Sequence, residues 1–216
     1  MVVTRWLLVA LGIGLLAASG CAGSGYQYVK NEDLGVFAKV PDDWTIYEGE
    51  EVFAAVSPAG TTEAETERAM AGRWFRGFDA SDDPSPEATM QLGGETPRGY
   101  VQILQLTRAQ RDQINITSMR SAVLGVDPLA APDPQSPTPA PDVQVVTDEP
   151  AEFDGGYHGV HTVFATPGDE GIAVVDQTAL LNKTNSVLYL FVVTCDEDCY
   201  FETRSDEIND IVDSWT

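Results

Sequence analysis

The sequence predicts an α+β fold: a single α/β sandwich, mainly an antiparallel sheet flanked by helices. Three observations carry this. Val187 to Val193 reads Val-Leu-Tyr-Leu-Phe-Val-Val, and a run with no polar face marks a central strand covered on both sides. Ile208, Ile211, Val212 and Trp215 fall at i, i+3, i+4 and i+7, the apolar stripe of one surface helix. Between residues 143 and 193, strand-like runs are separated only by turn residues, which is the pattern of an antiparallel meander.

The chain opens on a leader. Arg5 gives a positive start, Trp6 to Ala18 is apolar, and the small residues Ala18, Ser19 and Gly20 precede Cys21. That order is a secretory signal whose cleavage site abuts a cysteine. It resembles a bacterial lipoprotein signal, which implies cleavage after Gly20 and diacylation of Cys21. Ala18 departs from the Leu usual at that position, so a plain cleaved signal stays open as an alternative. An uncut anchor fits less well, because a spanning helix needs about 20 apolar residues.

Residues 1–20 are thus read as signal peptide and 21–25 as a flexible tether. Residues 26–216 are read as one folded domain. Tyr26 to Lys30 starts a first strand. Gly35 to Val40 alternates as a second, closed by Pro41 and a turn at Asp42 and Asp43. Trp44 is expected as a lid over the sheet. Glu50 to Val56 and Thr62 to Ala71 read as helices, the latter with Thr62 and Glu65 spaced as a capping box. Arg73 to Phe78 reads as extended, with Trp74 and Phe78 on one side and Phe75 on the other.

Ser81 to Pro97 is turn-rich and expected at the surface. Arg98 to Leu106 is a strand apolar on both parities. Thr107 and Gln110 form a second capping-box pattern, from which a helix is expected through about Leu124, burying Ile116, Met119 and Val123. Residues 127–142 hold six of the chain's 13 prolines. Neither helix nor central strand survives that density, so an exposed crossover is expected there. Val143 to Val146, Tyr157 to Ala165 and Ile172 to Leu181 follow as strands, with turns at Thr166 to Asp169 and Asn182 to Asn185. A last helix is expected from near Glu202.

Composition bounds function. The hydrophobic fraction is 43%, with four Trp, eight Phe and seven Tyr, which is enough for a packed core. Lys plus Arg is 12 against 34 Asp plus Glu, a net charge of −22. Such a surface repels nucleic acid and anionic headgroups, so a covalent lipid is the means by which this chain would stay on a membrane. Cys21, Cys195 and Cys199 are the three cysteines. With Cys21 lipidated, Cys195 and Cys199 are free to form a disulfide in an oxidising compartment.

At Val40-Pro41-Asp42-Asp43-Trp44, and again at Gly156-Tyr157-His158-Gly159 and the closing Asp213-Ser214-Trp215, the chain resembles PsbP-like domains. It looks like the LpqN-type lipoproteins of actinobacteria. The Pro-rich insertion and Trp215, where Phe is more usual, depart from that pattern. The resemblance implies an antiparallel sheet flanked by helices, and accessory or binding proteins without a shared catalytic motif.

No G-x-S-x-G, H-E-x-x-H or Walker A pattern occurs. His158 and His161, three apart on a strand, face opposite sides and make no metal pair. No cofactor is expected. Seven of the 12 basic residues fall between Arg68 and Arg120. Arg73, Arg76 and Arg98, with Trp44 and Trp74, are candidate contacts for an anion or ligand, should they meet. The leading expectation is a lipid-anchored envelope accessory or interaction module without catalytic activity, at the outer face of the cell membrane. Its expected partners are the membrane, through lipid on Cys21, and an envelope protein or small ligand. The alternative is a small-ligand carrier with a pocket of Trp44, Trp74, Phe78 and Tyr100 between sheet and helix. A hydrolase is the third and weakest. Replacing Cys21 with Ser is expected to abolish membrane retention and leave the fold intact; sedimentation with membranes and circular dichroism check the two halves separately.

Overall fold

The computed structural model describes residues 25–130, 142–168 and 171–215. The leader, Cys21 and most of the Pro-rich segment lie outside them. The architecture is α+β: a seven-stranded, wholly antiparallel sheet with helices on both faces.

The chain first makes a hairpin of its own, β1 (Tyr26–Asn31) and β2 (Val36–Pro41). It then lays down β3 (Thr45–Glu48), α1 (Gly49–Val56), α2 (Glu63–Met70), β4 (Arg73–Asp79) and β5 (Arg98–Gln105). Two short helices follow, α3 (Arg108–Gln113) and α4 (Ile116–Arg120). After the Pro-rich segment come β6 (Gln144–Phe153), β7 (Tyr157–Gly168), β8 (Gly171–Leu181) and β9 (Val187–Asp196), and α5 (Ser205–Ser214) closes the chain.

The spatial order is β3-β4-β5-β9-β8-β7-β6. The strand without a polar face therefore lies in the middle, and β5 and β9 join the two halves of the chain. Their register pairs Tyr100 with Val192 and Ile103 with Tyr189. Gly99 makes this approach possible, because a Cβ there would collide with the Val192 carbonyl.

Alternation along each strand builds two cores. On one face, Phe78, Val101, Ile103, Phe191 and Val193 pack beneath the hairpin and α5, against Val40, Trp44, Ile208, Ile211 and Trp215. On the other, Phe75, Tyr100, Phe164, Val175, Leu190 and Val192 pack beneath α1 and α4, against Val52 and Met119.

Several expectations need correction. The helix expected from Thr107 to Leu124 is broken in two. Thr107 and Gln110 do form the reciprocal cap, but Ile114 turns extended (φ −68°, ψ 134°) and Asn115 starts a second cap with Ser118. Asn bonds nearby backbone better at a cap than inside a helix, and that local gain ends α3. Ile116 is 41% exposed, and Ile114 packs against the core in its place.

β6 runs seven residues past Val146. As the outermost strand it tolerates Pro150 and its acids, since an edge needs no N–H for a further neighbour. β7 continues through Thr166, Pro167 and Gly168, paired to β8, where a turn was expected. Ser81 to Pro97 is only partly exposed: Thr89, Gly93 and Pro97 are buried, and Glu87–Met90 is a 3-10 turn. A π-type turn, Cys199–Thr203, precedes α5, which starts at Ser205 rather than Glu202.

Phe191 is fully buried and touches Phe78 and Trp215. Phe191→Ala is expected to lower stability by about 3–5 kcal/mol, read from urea unfolding.

Candidate functional site

The disulfide between Cys195 and Cys199 is present, with Cα atoms 5.9 Å apart. Cys195 is near the end of β9, and Cys199 opens the π-type turn. The Asp196 carboxylate accepts the Cys199 backbone N–H at 2.8 Å. Strand end and turn are thereby tied together, and the following helix is aimed back over the sheet. Its apolar stripe ends at Trp215, whose ring stacks on Phe191 at 5.1 Å and 10°.

Beside Trp215 lies a recess of about 330 Å³. Gly35 and Val36 from the hairpin turn form one wall. Phe153, Asp154 and Tyr157 from the β6–β7 turn form another, and Leu180, Tyr189 and Trp215 complete it. Tyr157 and Tyr189 meet edge to face at 5.3 Å and 80°. The Tyr189 hydroxyl donates to the Leu34 carbonyl at 3.2 Å, which ties the hairpin turn to the sheet. Burial, then the neighbouring Tyr157 hydroxyl, pushes the Tyr189 pKa up to about 12, so it is a neutral phenol. Gly35 sits at φ +66°, with Tyr157 Oη 3.6 Å from where a Cβ would be; an L side chain there is strained. The lining offers rings and aliphatic surface, one carboxylate and two phenols, with no Ser, Thr, Cys, Lys or His. A more open groove between α1 and α2 is lined by Glu50, Glu63 and Glu67 among others.

The sequence-derived candidates are not brought together. Trp44, Trp74 and Phe78 pack on the hairpin-and-α5 face. Tyr100 is on the opposite face, stacked on Phe75 at 5.1 Å, and burial pushes its pKa up to about 12. The pocket expected from those four rings therefore does not form, because Gly77, not Phe78, is the Cα partner of Tyr100. The Trp44 indole N–H donates to Glu207 at 3.2 Å.

The arginines also separate. Arg76 pairs with Glu48 at 2.6 Å and lies 5.0 Å from the Trp74 ring. Arg73 is 6.0 Å from the Phe53 ring, on the other face of the same strand. Arg98 stands opposite Asp79, at the far end of β4 from Arg73, roughly 20 Å along the strand. No common anion site results. Cys21 lies outside the described residues.

The histidines diverge as their spacing requires. His158 is exposed. His161 is held by Asp176 at 2.8 Å on Nε2 and by Glu149 at 3.5 Å on Nδ1. The buried Asp176 also accepts the Tyr200 hydroxyl at 2.7 Å. On the opposite face of β7, Arg120 and Asp148 form a bidentate pair at 2.7 Å, with Thr162 donating to the same carboxylate; the Arg120 hydrogen bonds hold Asp148 below the usual carboxylate range. Among the described residues no three His, Cys, Asp or Glu side chains are placed to hold a metal ion. No described helix is long and apolar enough to cross a membrane.

Phe153, Tyr157 and Tyr189 were not among the candidates read from the sequence. Tyr157 and Tyr189 sit on core-facing positions of two strands separated by β8, so only the sheet register makes them neighbours.

No family model and no curated protein matches the chain. Among solved structures it is similar to cyanobacterial PsbP (CyanoP) from Synechocystis sp., with 12% identity over 94% of this chain and 98% of that one, at a TM-score of 0.49.

The Asp176 hydrogen bond, aided by Glu149 and opposed by burial, raises the His161 pKa above its ordinary 6.5. A raised folded-state pKa contributes stability that is complete below the unfolded value and disappears as pH rises through the folded one. Urea midpoints are expected to fall as pH rises from about 6 to 8, and His161→Gln to remove that slope.

Proposed function

We propose that this chain is a lipid-anchored accessory module of the bacterial cell envelope that acts by binding and not by catalysis. Cleavage after Gly20 leaves Cys21 at the N-terminus, and acyl chains on that cysteine hold an acidic domain at the outer face of the membrane. A single chain gives only marginal retention, and a second makes it stable. The loose PsbP-like, LpqN-type resemblance at Val40 to Trp44 and at the C-terminus supports an accessory role.

The observation that carries the binding reading is the recess beside Trp215. Its volume, about 330 Å³, is within the range of small-ligand sites, which are concave and mostly apolar with few polar groups. Four of its lining residues, Phe153, Tyr157, Tyr189 and Trp215, are aromatic. Rings of this kind anchor apolar ligands or the inserted side chain of a partner. The rim carboxylate of Asp154 and the net charge of −22 disfavour anionic occupants. The preferred occupant is therefore neutral and largely apolar. The same recess supports the small-ligand-carrier reading, in which the occupant is a free molecule and not part of a protein.

The neutral naphthyl ketone prodan tests the recess directly. Its emission is expected to shift to the blue on the purified domain. Tyr157→Ala is expected to weaken binding about tenfold, the effect of roughly 1.4 kcal/mol of lost ring contact. Equal affinity in the variant places the dye elsewhere and removes the recess as the site. A pull-down from detergent-solubilised membranes then separates protein partner from free ligand.

A further inference from the structure

The hairpin of β1 and β2 has an inner and an outer face. Val29, Val36, Ala38 and Val40 point inward and are buried. Tyr26, Tyr28, Lys30, Phe37 and Lys39 occupy the alternate positions. On that outer face Tyr28 is 48% and Phe37 39% exposed, with ring centroids 5.1 Å apart. Lys39 Nζ stands 4.1 Å from the centre of the Tyr26 ring. A pair of water-exposed rings flanked by lysines has the composition of a membrane-interface surface, where aromatic rings and lysine stems sit at headgroup depth with their polar ends outward.

We infer that this outer face rests on the lipid surface, so that the domain stands on its hairpin and not at the end of a free leash. The inference rests on the reading that Cys21 carries lipid. Tyr26 is five residues past Cys21, a reach of at most about 18 Å. The hairpin, the first strand pair after Cys21, is thus held within reach of the headgroups. The two strands carry Lys30 and Lys39, two of the chain's three lysines, and no acid, in a chain of net charge −22. Glu32 and Asp33 at the hairpin turn, and Asp42 and Asp43 beyond it, offset those lysines. The contact is therefore made by rings and lysine stems rather than by net charge, and it forms on neutral phosphatidylcholine with little dependence on salt. It would leave the opposite face of the sheet, with α1 and α2, directed away from the membrane.

The test uses the lipidated protein in phosphatidylcholine vesicles doped with brominated lipid, which quenches nearby indoles. Phe37→Trp places a reporter on the hairpin. Val56→Trp places one on α1, at a position 47% exposed on the other side of the sheet. Quenching of the added indole is expected to be about threefold or more greater at 37 than at 56, matching interfacial burial of one ring and not the other. Equal quenching overturns the contact, while co-sedimentation in the same samples reports the anchor independently. Should Phe37→Trp misfold, the unsubstituted protein supplies a second readout. Amine labelling of Lys30 and Lys39 is expected to slow about threefold on vesicles relative to C21S in solution, as their stems enter the interface. Unchanged labelling overturns the proposal. Protection that instead appears in C21S in solution, and grows with protein concentration, assigns this face to a second copy of the chain and overturns it as well.

Discussion

The pairing of β5 with β9 is the contact on which the rest depends. It joins strands more than 80 residues apart in sequence through eight register pairs, from Arg98 opposite Thr194 to Gln105 opposite Val187. Neither half suffices without it. β3 and β4 with their helices lack a second layer, and the C-terminal meander would expose the side chains of β9. Long-range pairing of this kind carries loop-closure entropy that only burial on both faces offsets. Phe191, Val192 and Val193, all without exposed surface, supply that burial to both cores at once.

The second constraint is the corner where β9 becomes α5. The Cys195–Cys199 bridge and the Asp196 cap fix that corner, and the helix then carries Ile208, Ile211 and Trp215 onto the sheet. Its last residues meet the hairpin: Ser214 Oγ accepts the Lys39 backbone N–H at 2.8 Å. The hairpin, although not bonded into the main sheet, is thus gripped between helix and strands. The recess is the gap left where the hairpin turn, the β6–β7 turn and the end of α5 converge. Its shape is a product of those three segments together with Leu180 on β8 and Tyr189 on β9, and its aromatic lining is continuous with the core that holds them.

Acidity shapes what the molecule can meet. Many of the cations are engaged: Arg76 with Glu48, Arg120 with Asp148, Arg204 with Glu207. Within the basic stretch between Arg68 and Arg120, Arg76 and Arg120 are paired in this way. The exposed pairs add little to stability, but they leave a surface dominated by carboxylates. Such a surface disfavours anionic partners.

Periodicity and punctuation made most elements readable from the chain alone. The run Val187 to Val193, the stripe from Ile208 to Trp215 and the caps at Thr62 and Thr107 all report local physics, so β9, α5 and the starts of α2 and α3 follow without a structure. The disulfide also follows, since two cysteines four residues apart have each other at hand. The break at Asn115, the length of β6 and the arginine and tryptophan groupings did not follow. The break is set by the local cap between Asn115 and Ser118, whereas the others depend on which strand neighbours which. A one-step difference of parity puts Tyr100 on the far side of the sheet from Phe78, and a strand's length separates Arg73 from Arg98. Likewise Tyr157 and Tyr189 become one wall only because β8 sets both strands in register. Charge and secondary structure are additive or short-range properties, and the sequence states them outright. The recess is a relation among segments far apart in the chain, and it exists only once pairing and packing have chosen their partners.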